Sequence, residues 1–225
     1  MTGVRRGLCA LGVLLALTSA SAFADSIIIS ETSPGTPGGS PSIYSNQIGA
    51  ASWTTTSAYS NVSIAAKVGC YQCSGTMTAY LTSVIGPSET ASDQIATSTV
   101  SVGAGPELDT FFSGFSLAAG TYYLVLANGD NVNDYYWLSP NGAGGTTITT
   151  DSGVTFEGDY FAASVGSVNG ANPPASVFGA SFGDNGLNFQ VTGDSGSVVP
   201  EPSSISLLLI GMAGGMCLLG RKLTA

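Results

Sequence analysis

The sequence predicts an all-β fold: a single antiparallel β-sandwich of jelly-roll or Greek-key type. Three observations predict it. Apolar residues recur at every second position in several short runs, the period of a half-buried strand. Gly, Pro, Asn and Asp punctuate nearly every gap between those runs, as tight turns require. Between the two ends of the chain no stretch carries the 3.6-residue period of an amphipathic helix.

The first expected strand is Ile27–Ser30. Next, Val62, Ile64, Ala66 and Val68 alternate with Ser63, Ala65 and Lys67, and Met77, Ala79 and Leu81 alternate with Thr78, Tyr80 and Thr82. Gln94–Val102 follows, then Phe111, Ser113, Phe115 and Leu117 in a looser alternation. Thr121–Ala127, TYYLVLA, is a continuous apolar run suited to a central strand. Tyr135–Leu138, Thr146–Thr150, Tyr160–Val168 and Leu187–Val191 complete the set. The Gly-, Asn- and Pro-rich Gly166–Ser176 reads as a long surface loop, and Glu157-Gly158-Asp159 as a turn.

Composition narrows the function classes. The stretch 25–199 holds 13 acids against one base, Lys67, a net charge of −12. Nothing there can neutralise a phosphate backbone, so no nucleic-acid partner is expected. The whole chain is 44% hydrophobic and 8% charged, which argues against a disordered stalk.

Both ends carry membrane signals. Arg5 and Arg6, the apolar Leu8–Leu17 and the small-x-small Ala22-Phe23-Ala24 form a signal peptide over 1–24, with cleavage expected before Asp25. At the other end, Pro202–Gly220 is 19 residues without a charge. At ~1.5 Å per residue it is ~28 Å long as a helix, close to the ~30 Å of a bilayer core. Arg221 and Lys222 follow as the positive stop. The expected organisation is therefore signal peptide 1–24, sandwich 25–192, linker 193–199 and tail 200–225.

Pro200, Glu201 and Pro202, the apolar Ile205–Leu219 and Arg221-Lys222, in that order, resemble the sorting tail of the PEP-CTERM family of bacterial exported proteins. The resemblance is confined to about the last 28 residues. It implies recognition at the inner membrane by an exosortase, a membrane cysteine transpeptidase, and delivery of the preceding domain to the cell surface or exopolysaccharide matrix. The logic is that of a removable hydrophobic tail behind a polar spacer. Pro200 and Pro202 disfavour helix around Glu201 and keep the recognition segment extended.

The central region offers few chemical groups. With no histidine, Ser-His-Asp and Cys-His arrangements are excluded. Glu157 and Asp159 are the nearest carboxylate pair for a secreted glycoside hydrolase, and their setting in a turn argues for plain solubility instead. Cys70 and Cys73, in GCYQCSG, lack the further ligands of a zinc site and the helix start of a redox site; a loop-closing disulfide is expected. Asp130, Asn131, Asn133 and Asp134 offer clustered oxygens that suit calcium, in a stretch that also makes a good turn. Tyr135, Tyr136 and Trp137 offer either a sugar-stacking platform or a strand alternating between core and surface. Thr-rich runs such as WTTTS lack the repeats of an ice-binding face. The expectation is an exported, non-enzymatic structural or adhesive protein of the surface or matrix, with a carbohydrate-binding module for exopolysaccharide as the alternative.

Overall fold

The computed structural model describes residues 26–32, 42–130, 132–139, 145–163, 166–180 and 186–195. All lie in one compact unit, Asp25–Gly196. Seven strands form one sheet: β1 (Ser26–Thr32), β2 (Ser42–Ile43), β4 (Tyr59–Cys70), β7 (Glu107–Leu117), β9 (Tyr135–Trp137), β10 (Thr147–Thr150) and β13 (Phe189–Ser195). Their order is β10-β1-β13-β4-β9-β2, with β7 also paired to β4. The second sheet has the order β12 (Gly179–Ala180), β11 (Val154–Ala162), β3 (Ile48–Thr55), β8 (Gly120–Asn128), β5 (Gly75–Thr82) and β6 (Gln94–Val102). Every pairing is antiparallel, and the described residues contain no α-helix. The fold is an all-β antiparallel sandwich.

Alternation decides what each strand buries. On β4, Val62, Ile64, Ala66 and Val68 turn inward and are fully buried. They meet Met77, Ala79 and Leu81 of β5, Leu124 and Leu126 of β8 and Trp53 of β3 in one core. Phe189 of β13 joins the sheets: its ring lies 5.7 Å from that of Trp53 and 6.3 Å from that of Phe156. Burying each such side chain contributes ~1.5–3 kcal/mol.

The apolar run of β8 is buried on both faces because the six-stranded sheet carries a second, smaller cluster on its outer side. Ile48, Ala50, Val125 and Ala127 form it, with Tyr80, Tyr123, Tyr160, Val168 and Phe178 packed against them. The stretch Gly166–Ser176 is therefore not a free surface loop. Pro173 and Pro174 are buried in a 3-10 turn. Asn172 ties that segment to the β5–β6 connection: its amide donates to Glu89 Oε2 at 2.6 Å and its Oδ1 accepts from Gln94 Nε2 at 2.9 Å.

Three further expectations change. Strand β3, central in its sheet, runs through Ile48–Thr55, where no strand was expected. Gly49 is needed there because large rings take the room: a Cβ on it would sit 3.1 Å from the Phe161 ring and 3.2 Å from that of Trp137. The strand expected at Tyr160–Val168 instead spans Val154–Ala162, so Glu157-Gly158-Asp159 is no turn but part of β11, with a register shift between Phe156 and Gly158. Strand β13 continues to Ser195, three residues into the expected linker.

Among the described residues no helix is long and apolar enough to cross a membrane. The expected signal peptide 1–24, the tail 200–225 with Pro200, Glu201, Pro202, Arg221 and Lys222, and Asn131 lie outside the described residues.

Candidate functional site

One end of the sandwich gathers most of the residues that the sequence singles out. Strand β4 ends at Cys70, and a turn through Gln72, in the left-handed region at φ 55°, returns the chain to Cys73. The two cysteines are joined in a disulfide, with Cα atoms 5.3 Å apart. Beside them, the connection between β8 and β9 folds around Asp130. Its Oδ1 accepts from the backbone N–H groups of Val132 at 3.0 Å and Asn133 at 3.1 Å. Its Oδ2 accepts from Asn133 Nδ2 at 2.8 Å, Thr76 N at 3.4 Å and the Tyr135 hydroxyl. Gly75 permits this approach, because a Cβ there would collide with both Tyr135 and Asp130.

Five donors thus converge on one carboxylate. Burial alone would raise its pKa, but the hydrogen bonds from Tyr135, Val132 and Asn133 outweigh that and hold it well below the usual carboxylate range. The Tyr135 hydroxyl is pushed up to about 12, first by burial and then by its bond to Asp130. Of the calcium candidates Asp130, Asn131, Asn133 and Asp134, Asn131 lies outside the described residues and the Asp130 carboxylate is engaged within the loop itself. Its lone pairs receive N–H and O–H groups, Asn133 donates to it through Nδ2, and Asp134 is exposed. The loop is a latch that fixes β9 against β5.

The stacking reading of Tyr135, Tyr136 and Trp137 is corrected. All three are buried, at 0%, 1% and 0% exposure, because β9 is enclosed between β2 and β4. Trp137 donates its indole N–H to the Asn188 carbonyl at 2.8 Å inside the sandwich. The Tyr136 ring is covered by Tyr71, 4.7 Å away, which is itself 38% exposed. No face of the trio is free for a sugar.

Two other features emerge only from the fold. Asp159 does not work with Glu157, which is exposed; it faces the core beside Phe161 and meets Glu31 of β1. Both carboxyls are buried, and Leu187 N donates to Asp159 Oδ2 at 3.2 Å. Burial pushes both well above the usual range, and the neighbouring carboxylate raises Glu31 further. A glycoside hydrolase needs carboxyls ~5 Å or more apart and open to a sugar, and this pair is buried and hydrogen-bonded together. In the sequence the signal is parity: Glu31 stands two residues after the inward Ile29, and Asp159 two before the inward Phe161.

A cavity of about 310 Å³ is lined by Glu31, Thr32, Lys67, Leu108 and Gln190 with Asn188 and Phe189. Lys67 leaves β4 on the face opposite Ala66 and Val68, and Leu108 is 51% exposed. The cavity thus combines a cation, amides, a hydroxyl and an apolar surface, the mixture that orients a small polar ligand. Comparison of the chain with protein-family models and with curated proteins finds no match.

Proposed function

We propose that this chain is an exported, exosortase-sorted protein of the bacterial surface or extracellular matrix, with a structural or adhesive role and no enzymatic one. The observation that supports it most is the order of features along the chain. A signal-peptide pattern precedes a self-contained sandwich whose last strand ends at Ser195, shortly before Pro200-Glu201-Pro202, the apolar run and Arg221-Lys222. An oxidised Cys70–Cys73 pair suits a compartment outside the cytoplasm. The partners of such a protein are the exosortase and, during sorting, the inner membrane.

Intact-mass spectrometry of surface material from the native host tests this. The mass expected begins near Asp25 and ends around Pro200–Pro202. Surface protein that still carries Arg221, or protein retained in the cytoplasm with residues 1–24 attached, overturns it.

The second reading, a carbohydrate-binding module for exopolysaccharide, draws support from the cavity beside Lys67 rather than from buried Tyr135–Trp137. A glycan array on the purified protein separates the two. Tight, selective binding that Lys67→Ala and Gln190→Ala abolish promotes the second reading; no binding leaves the first.

A further inference from the structure

The strands at the borders of the two sheets are not alike. In the six-stranded sheet β12 closes one side with two residues and β6 the other with nine, Gln94–Val102. In the seven-stranded sheet β2 has two residues and β10 four. Strand β7, across β4 from β13, is long, but it carries Glu107 and Asp109, a left-handed Gly114 at φ 73° and three register shifts against β4. Short length, charge and bulges are the devices that keep a sheet edge from pairing with another chain. Strand β6, QIATSTVSV, has none of them. It carries no charge and no proline, and its register with β5 is unbroken from Gly75↔Val102 to Leu81↔Ala96.

The outer side of β6 is open. Among the described residues β5 is its one pairing partner, and no hydrogen bond reaches the backbone of 95–102 from the other side. Ala96 and Val100 pack against the core yet are only partly buried. Ile95, Thr97, Thr99 and Ser101 alternate with them on the exposed face, where the Thr99 and Thr78 hydroxyls bond at 2.9–3.0 Å range, 3.0 Å apart. The core is therefore half-covered along this flank. A further strand would cover it and take up the free N–H and C=O groups.

We propose that β6 pairs antiparallel with β6 of a second copy of this chain, joining two six-stranded sheets across a two-fold axis. The occupant follows from the strand's own sequence. Pairing about Ser98 sets Thr97 of one copy against Thr99 of the other, Ala96 against Val100 and Ile95 against Ser101. The two members of each pair lie on the same face. The exposed hydroxyl row of Thr78 and Thr99 thus continues into the second copy, and the half-buried Ala96 and Val100 cover each other. Charge selects the same edge. The stretch 25–199 carries −12, and two such chains meet here without opposed carboxylates, since Asp93 falls opposite Gly103. The β7 edge would bring Glu107 and Asp109 to the contact instead. The joined sheet ends at either side on β12, two residues long, so assembly stops at two copies. This inference concerns self-association and does not rest on how the chain is sorted.

Sedimentation velocity of the purified full-length chain in mild detergent, over a range of concentrations, tests this. Wild type is expected to dimerise. Thr97→Lys with Thr99→Lys sets like charges against each other and raises the dimer dissociation constant about tenfold or more. Thr149→Lys, on exposed β10, leaves it unchanged. Thr97→Cys mixed with Thr99→Cys cross-links under a mild thiol oxidant more than either variant alone, because the pairing sets 97 against 99 and neither against itself. A chain that stays monomeric up to about 0.1 mM overturns the proposal. So does a dimer that Thr97→Lys/Thr99→Lys leaves intact, since the contact then lies elsewhere, the apolar tail included. Should that variant not fold, the cysteine mixture decides: cross-linking no greater than in the single variants overturns the pairing.

Discussion

Replacing Tyr135 by Phe removes one oxygen and nothing else from a fully buried ring, so it isolates the bond that closes the Asp130 latch. Asp130 Oδ2 keeps two donors, Asn133 Nδ2 at 2.8 Å and Thr76 N at 3.4 Å, so the carboxylate is weakened but not orphaned. A hydrogen bond to a charged group contributes ~1.5–3 kcal/mol, and ~2 kcal/mol is the expected loss. In a domain of this size that lowers the melting temperature by ~4–8 °C. Acid provides a second readout. Because Asp130 is held below its ordinary range, its contribution is present above pH ~4 and lost as pH falls toward the folded value. Tyr135→Phe raises that folded value, so the gap between variant and wild type narrows between pH 4 and pH 2. Circular-dichroism melts at several pH values measure both effects. A variant that melts within 1 °C of wild type at pH 7, or a gap that widens in acid, refutes the latch.

Three further outcomes are expected. Replacing Cys70 and Cys73 together by Ala costs no more than about 2 kcal/mol, because the bridge closes a very short loop; titration of free thiols in the exported wild type would contradict the bond itself. Asn172→Ala strips Glu89 and Gln94 of their shared partner and lowers stability by ~2 kcal/mol, and limited proteolysis should then cut within 166–178 at rates wild type does not show. Stability should fall as pH rises above about 5, because burial holds Glu31 and Asp159 above the usual carboxylate range, so they keep protons in the folded chain that the unfolded chain has already lost. Glu31→Gln should flatten that decline in urea titrations.

Strands whose apolar residues alternate with polar ones were legible before folding: β4, β5 and β6 lie where Val62–Val68, Met77–Leu81 and Gln94–Val102 point. Strand β3 was not legible. Its IGAASWTT is buried on both sides, so alternation disappears, and its Gly49 makes sense only beside Trp137 and Phe161, far along the chain. Strand β11 was misplaced for a related reason. The register shift between Phe156 and Gly158 breaks the period of two just where the strand begins.

The chemistry divides the same way. Local sequence determined that the chain is β-rich, acidic, free of histidine and bracketed by two apolar ends, because composition and short-range periodicity need no partner. It also carried the Cys70–Cys73 spacing, which a single turn closes. Which side chains meet was decided by the tertiary structure alone. Tyr135–Trp137 looks identical in sequence whether exposed or enclosed, and only the pairing of β9 with β2 and β4 buries it. Glu31 and Asp159 stand 128 residues apart, and two sheets had to pack face to face before those carboxyls could meet.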